Sequence, residues 1–136
     1  MKPEIRTYKT TVGNKEIEFE TGKLASLAGG SVTARIGESI IFAASTMSDS
    51  IREDTDFFPL SVDYEEKMYA GGRIPGSFFR REGRPSTEAV LIARLTDRPI
   101  RPIFNKSMRN EVQIITFSLS SDNENPLDIL VVNASS

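Results

Sequence analysis

Ser39-Ile40-Ile41-Phe42-Ala43-Ala44-Ser45-Thr46 is the stretch on which the fold turns. In an extended chain its middle is apolar on both faces, because Ile41 and Ala43 alternate with Ile40, Phe42 and Ala44. That pattern predicts a central strand, covered on both sides. Gly37-Glu38 turns the chain into it, and before the turn Val32, Ala34 and Ile36 alternate along a second strand. Further upstream, Tyr8 to Val12 and Lys15 to Glu20 flank Gly13-Asn14, a two-residue hairpin signal that puts Ile17 and Phe19 on one face. Downstream, Met47 to Asp56 reads as a polar loop. Leu60, Val62 and Tyr64 then form another alternating strand, entered through Pro59.

Helical signals follow. Ser86 is an N-cap with Glu88 in the first turn. Pro99 disfavours a helical Arg98, so this helix is expected to end near Thr96 or Asp97. Ala89, Ile92 and Thr96 share its apolar stripe with Leu91 and Leu95, and Arg94 lies off it. Pro99 and Pro102 then hold Arg98 and Arg101 on a stiff extended piece. Val112 to Leu119 is a strand whose apolar phase shifts between Ile114 and Ile115, which predicts either a bulge or two-sided burial. Asn125-Pro126-Leu127-Asp128 opens a second helix with Asn125 as N-cap, and Leu127, Leu130, Val131 and Ala134 follow its period. Ile129 to Val132 taken alone also fits a strand, but the capping signals favour helix. One sheet with packed helices gives an α+β fold. The sequence stops at Ser136 inside that helix without a C-cap. This predicts a piece of a longer chain, whose strands lack some cover and which self-associates in isolation.

Composition narrows the function. The 136 residues allow one domain, and 38% hydrophobic with 26% charged residues describes a soluble globular protein. No apolar run nears the ~20 residues that span a bilayer, and the N-terminus has no signal-peptide stretch. With neither cysteine nor histidine, the chain has no disulfide framework, no thiolate metal site and no imidazole base. A cytoplasmic location follows as the default.

Charge is unevenly placed. Arg73 to Arg101 holds seven arginines, three acids and no lysine, a net +4 within a chain of net −2. Arginine's planar fork grips phosphate oxygens bidentately, which lysine cannot do. The centre of this segment is Gly76-Ser77-Phe78-Phe79-Arg80-Arg81-Glu82-Gly83-Arg84-Pro85. Paired aromatics beside paired cations suit a loop that stacks on bases and clamps a single-stranded backbone. The residues alone leave a second reading open, a phenylalanine pair tucked under a loop with solvated arginines. Arg98 and Arg101 can equally pair with Asp97, Glu65 or Glu66, and Arg94 is undecided. Arg73 has only its neighbourhood to recommend it. Asp49, Glu53, Asp54 and Asp56 lack the spacing and turn glycine of a calcium loop and read as a solvated surface. No catalytic and no metal-ligating residue is assigned. Ser135-Ser136 lies inside the predicted helix.

Phe78 to Pro85 followed by Arg94-Leu95-Thr96-Asp97-Arg98-Pro99-Ile100-Arg101-Pro102 resembles the bacterial polynucleotide phosphorylases. Supporting stretches are Glu20 to Ala25, Asp56 to Tyr64, Tyr69 to Pro75, Asn110 to Gln113 and Asp128 to Ser135. The likeness covers nearly the whole chain, in the first of that family's two ribonuclease PH-like cores. It departs at Thr87, where the family often has Glu directly after Gly-Arg-Pro-Ser, and at Thr96, where an aliphatic residue is common.

The resemblance implies a ribosomal protein S5 domain 2-like fold with a mixed sheet, residues 1–136 forming an incomplete first core. It implies a homotrimeric ring that degrades RNA from the 3′ end with inorganic phosphate, releasing nucleoside diphosphates in mRNA turnover. Mg2+ or Mn2+ would be held by the second core, which is absent here, as are the KH and S1 domains. Single-stranded RNA would be gripped by Phe78, Phe79, Arg80, Arg81, Arg84, Arg94, Arg98 and Arg101. Other RNA-decay proteins, such as an endoribonuclease or a helicase, are implied partners. The alternatives are a stand-alone ribonuclease PH that trims tRNA ends and a non-catalytic ring subunit like those of RNA exosomes.

Overall fold

A computed structural model describes residues 4–51, 55–76 and 78–136, and among these a single mixed sheet is flanked by two helices. The strands are β1 (Arg6–Val12), β2 (Lys15–Thr21), β3 (Gly30–Ile36), β4 (Ser39–Ile51), β5 (Leu60–Glu65) and β6 (Asn110–Ser120). The helices are α1 (Thr87–Ile100) and α2 (Leu127–Ser135), and short 3-10 turns occupy Met68–Gly71 and Arg101–Ile103. The sheet runs β1-β2-β3-β4-β6-β5. All neighbours are antiparallel except β5 and β6, which are parallel and joined through α1. A parallel pair needs such a long crossover, and this one carries the arginine-rich segment.

The Gly13-Asn14 hairpin forms as expected, with Val12 opposite Lys15. The turn from β3 to β4 needs a glycine. Gly37 has φ +58, and a Cβ there would stand 2.9 Å from Asn125 Nδ2 and 3.0 Å from Asp122 Oδ2. Behind it Asp122 ties the β3–β4 turn to the approach to α2. Its carboxylate accepts from Ser39 Oγ, the Glu38 N–H, the Glu124 and Asn125 N–H groups and Asn125 Nδ2. Asn125 is therefore held by Asp122 and is not the cap of α2. Pro126 stands at that position without a side-chain cap bond, and Asp128 lies in the first turn.

Both helices lie on one face of the sheet. Ile17, Ala34, Ile41, Ala43 and Tyr64 from the strands enclose Ala89 of α1 and Leu130, Val131 and Ala134 of α2. A second cluster gathers Phe58, Leu60, Ile100, Val112 and Ile114. β4 is central, but its cover is one-sided, contrary to the expectation from its sequence. Ile41 and Ala43 are buried, whereas Ile40, Phe42 and Ala44 on the opposite face are half-buried. That face is sheltered by cross-strand neighbours instead. Phe42 faces Phe117 of β6 with ring centroids 6.3 Å apart and planes 10° from parallel, and Lys67 Nζ sits 4.9 Å from the centre of the Phe117 ring.

Other boundaries also differ. Residues 47–51 extend β4, because Met47 pairs with Val112 and Ile51 with Asn110. The ladder partner decides here, not side-chain polarity. Glu53 and Asp54 of the acidic run lie outside the described residues. In β6, Ile114 faces the helices and Ile115 the other side, so the phase shift is two-sided occupancy. The nearest irregularity skips Leu119. α1 runs through Pro99 to Ile100, and Arg101 itself keeps helical angles, its N–H donating to the Asp97 carbonyl. Arg98 and Arg101 are thus helical, not extended. Burial of Ile100 and an i,i+4 pair between Asp97 and Arg101 offset the one bond that proline removes. Leu91 and Leu95 face outward, 59% and 52% exposed, because the sheet side is taken by Ala89, Ile92, Ala93 and Thr96.

Candidate nucleic-acid interface

The 3-10 turn Met68–Gly71 ends at Gly72 in the left-handed region, and the described residues from Arg73 to Pro85 then form neither helix nor strand. Arg80 has φ +48, a conformation that a residue with a Cβ adopts at some cost. Phe78 and Phe79 meet edge to face, ring centroids 5.4 Å apart, and stand 94% and 77% exposed. They are not tucked beneath the loop. Arg80, Arg81 and Arg84 are exposed beside them. Two large aromatic faces held in water next to cationic forks present stacking and phosphate-binding chemistry together.

The loop returns to the fold at Ser86. Its hydroxyl accepts from the Ala89 N–H at 3.1 Å and starts α1. Beyond this cap, α1 and the outer edge of β5 enclose a groove of about 680 Å³. Arg94, Asp97, Arg98 and Arg101 line one wall, and Asp63, Glu65 and Gln113 lie opposite. Pro85 and Glu65 also border a smaller hollow that contains Glu82 and Arg84, so groove and loop are continuous.

The three arginines of the groove differ. Arg94 and Arg98 are exposed and make no side-chain hydrogen bond or ion pair among the described residues. Arg101 is committed internally. Nε and Nη2 form a bidentate pair with Asp97 at 2.9 and 2.7 Å, and the guanidinium also donates to the Phe58 and Leu60 carbonyls at 3.3 and 3.1 Å. It fixes the entry of β5 against the end of α1.

Sequence reasoning passed over two residues that shape the loop. Glu82 accepts the Met68 N–H and lies 3.5 Å from Lys67 Nζ. Lys67 also pairs with Glu65, which first of all raises its ammonium above the ordinary value, with Glu82 adding to it. The available signal was an acid set between Arg81 and Arg84, where its charge opposes its neighbours. Among the described residues no three carboxylates come together in a cluster that could hold a metal ion. No helix among these residues is long and apolar enough to cross a membrane.

The sequence matches the model of the 3′ exoribonuclease family, domain 1, over residues 13–136. The chain belongs to the ribonuclease PH family. It is 55% identical over 138 residues to the polyribonucleotide nucleotidyltransferase of Acidothermus cellulolyticus, covering 98% of this chain and 18% of that protein. The Frankia alni polyribonucleotide nucleotidyltransferase is 52% identical over 127 residues, 93% of this chain and 17% of its own length. The chain thus spans less than a fifth of these relatives. Among solved structures, rice Rrp46 superposes with TM-score 0.61 at 13% identity over 98% of this chain and 53% of its own. An Archaeoglobus fulgidus exosome chain, from a structure titled with RNA bound to the active site, gives 0.57 at 16% identity, covering 98% and 47%. At these identities the structural likeness speaks for the fold, which is the ribonuclease PH-like α+β fold expected from the sequence.

Proposed function

We propose that this domain is the RNA-gripping, non-catalytic first core of a phosphorolytic 3′-to-5′ exoribonuclease acting in RNA turnover. The observation that carries the reading is the exposed Phe78–Phe79 pair beside Arg80, Arg81 and Arg84, leading into the groove of Arg94 and Arg98. Exposing two phenylalanines costs solvation that a folded chain usually avoids, and a stacked base would recover it. Arginine forks along the same path would hold successive phosphates.

Phosphorolysis also needs a site for the attacking phosphate and groups that stabilise charge on the phosphorus and the leaving 3′ oxygen. In this proposal a second core supplies them, with Mg2+ or Mn2+ and inorganic phosphate. This domain keeps the strand in register, an effect worth several kcal/mol of barrier by positioning (roughly 7–11 at best). Assembly into a homotrimeric ring in the cytoplasm, and association with other RNA-decay proteins, belong to the same proposal. The test incubates poly(A), phosphate and magnesium with residues 1–136 and, separately, with the full-length protein. ADP release is expected from the full-length protein alone. Release from residues 1–136 above a no-protein control would place the chemistry in this domain.

A further inference from the structure

The Arg73–Glu82 loop is closed at a single residue. The Arg73 N–H donates to the Met68 carbonyl at 3.0 Å, and Glu82 Oε1 accepts the Met68 N–H at 2.5 Å. Both roots of the loop therefore converge on Met68. Met68 in turn belongs to a turn fastened to β6. The Lys67 N–H donates to buried Ser118 Oγ at 2.9 Å, the Ser121 N–H donates to the Ala70 carbonyl at 3.0 Å, and Lys67 Nζ lies over Phe117. Glu82 Oε2 completes the closure toward Lys67.

We infer that Glu82 is a positioning residue for RNA, a latch that holds the Phe78–Arg81 tip in place by clasping Met68 and Lys67. The inference rests on the loop's proposed RNA role and makes a prediction opposite in sign to simple electrostatics. An acid among phosphate-binding arginines repels a polyanion, so removing it should tighten binding if charge were its whole effect. The latch requires the reverse. Without it the tip samples more conformations, and RNA must order it on binding.

The test measures binding of a single-stranded oligo(A) to the full-length protein at fixed salt. Glu82→Ala is expected to weaken binding roughly three- to tenfold, below the full scale of one charge-assisted hydrogen bond because both contacts of Glu82 stand partly in solvent. Glu82→Gln keeps an acceptor for the Met68 N–H and should fall between Glu82→Ala and the native protein. Placed in a Phe78→Ala/Phe79→Ala/Arg80→Ala/Arg81→Ala background, Glu82→Ala should change affinity less than about twofold, since what it positions is gone. Unchanged or tighter binding by Glu82→Ala, or an equal loss in both backgrounds, would overturn the latch. If Arg80→Ala/Arg81→Ala itself leaves affinity untouched, the loop's RNA role falls and the latch with it.

Discussion

Arg98 and Arg101 stand three residues apart at the end of α1, yet only Arg101 is tied into the fold. Its fork bridges Asp97 and two carbonyls, so its removal leaves part-buried acceptors unmet. Arg101→Ala should lower unfolding free energy by about 1–3 kcal/mol, discounted toward the low end because the pair is part-exposed. Arg101→Lys should recover little of this, because a point charge cannot form the bidentate pair. Chemical denaturation checks both, and full recovery by lysine would contradict the bracing role. Asp122 gives a pH-dependent counterpart. The Asn125 and Glu124 N–H groups hold its carboxyl well below the usual carboxylate range. A depressed folded-state value means the bonds stabilise fully above about pH 5 and are lost as pH falls below about 4. Asp122→Asn should therefore reduce stability at neutral pH and make the acid limb of a stability–pH curve shallower. An unaltered acid limb would assign that limb to other groups.

Burial of the helices separates side chains that the sequence pattern had joined. Leu130 of α2 is fully buried in the main core cluster, while Leu95 of α1 is half exposed. Leu130→Ala should cost about 2–5 kcal/mol, whereas Leu95→Lys should change stability by less than about 0.5 kcal/mol. Thermal unfolding of the two variants distinguishes them, and similar losses would mean Leu95 is covered. The periodicity of α1 was readable from Ala89, Ile92 and Thr96, but Leu91 and Leu95 fit the same 3.6-residue template on its shoulder. Only the sheet's position chooses between the two sides. Ser86 was legible as the start because capping is local chemistry, confirmed by its bond to Ala89. The end at Pro99 was misread because burial of Ile100 and the Asp97–Arg101 pair are tertiary terms that outweigh a local preference.

At the scale of the whole molecule, a sheet covered by helices on one side presents a loop and groove at the junction of β5, the 3-10 turn and α1. Most strands were legible because period-2 alternation and glycine turns are written locally. One-sided cover of β4 was not, since two apolar faces look alike whether a helix or a neighbouring ring shelters the second. The candidate site was legible as composition, in Phe78 to Arg84, while the Met68–Glu82 closure depends on contacts across the fold. Loss of either exposed ring by Phe78→Ala or Phe79→Ala should weaken RNA binding by about 1–3 kcal/mol. The most direct test is the salt dependence of single-stranded RNA binding by the full-length protein with and without Arg80→Ala/Arg81→Ala. Each phosphate contact contributes about −0.7 to the slope of log affinity against log salt, so the double variant should flatten it by roughly 1 to 1.5. An unchanged slope would take this loop off the RNA path.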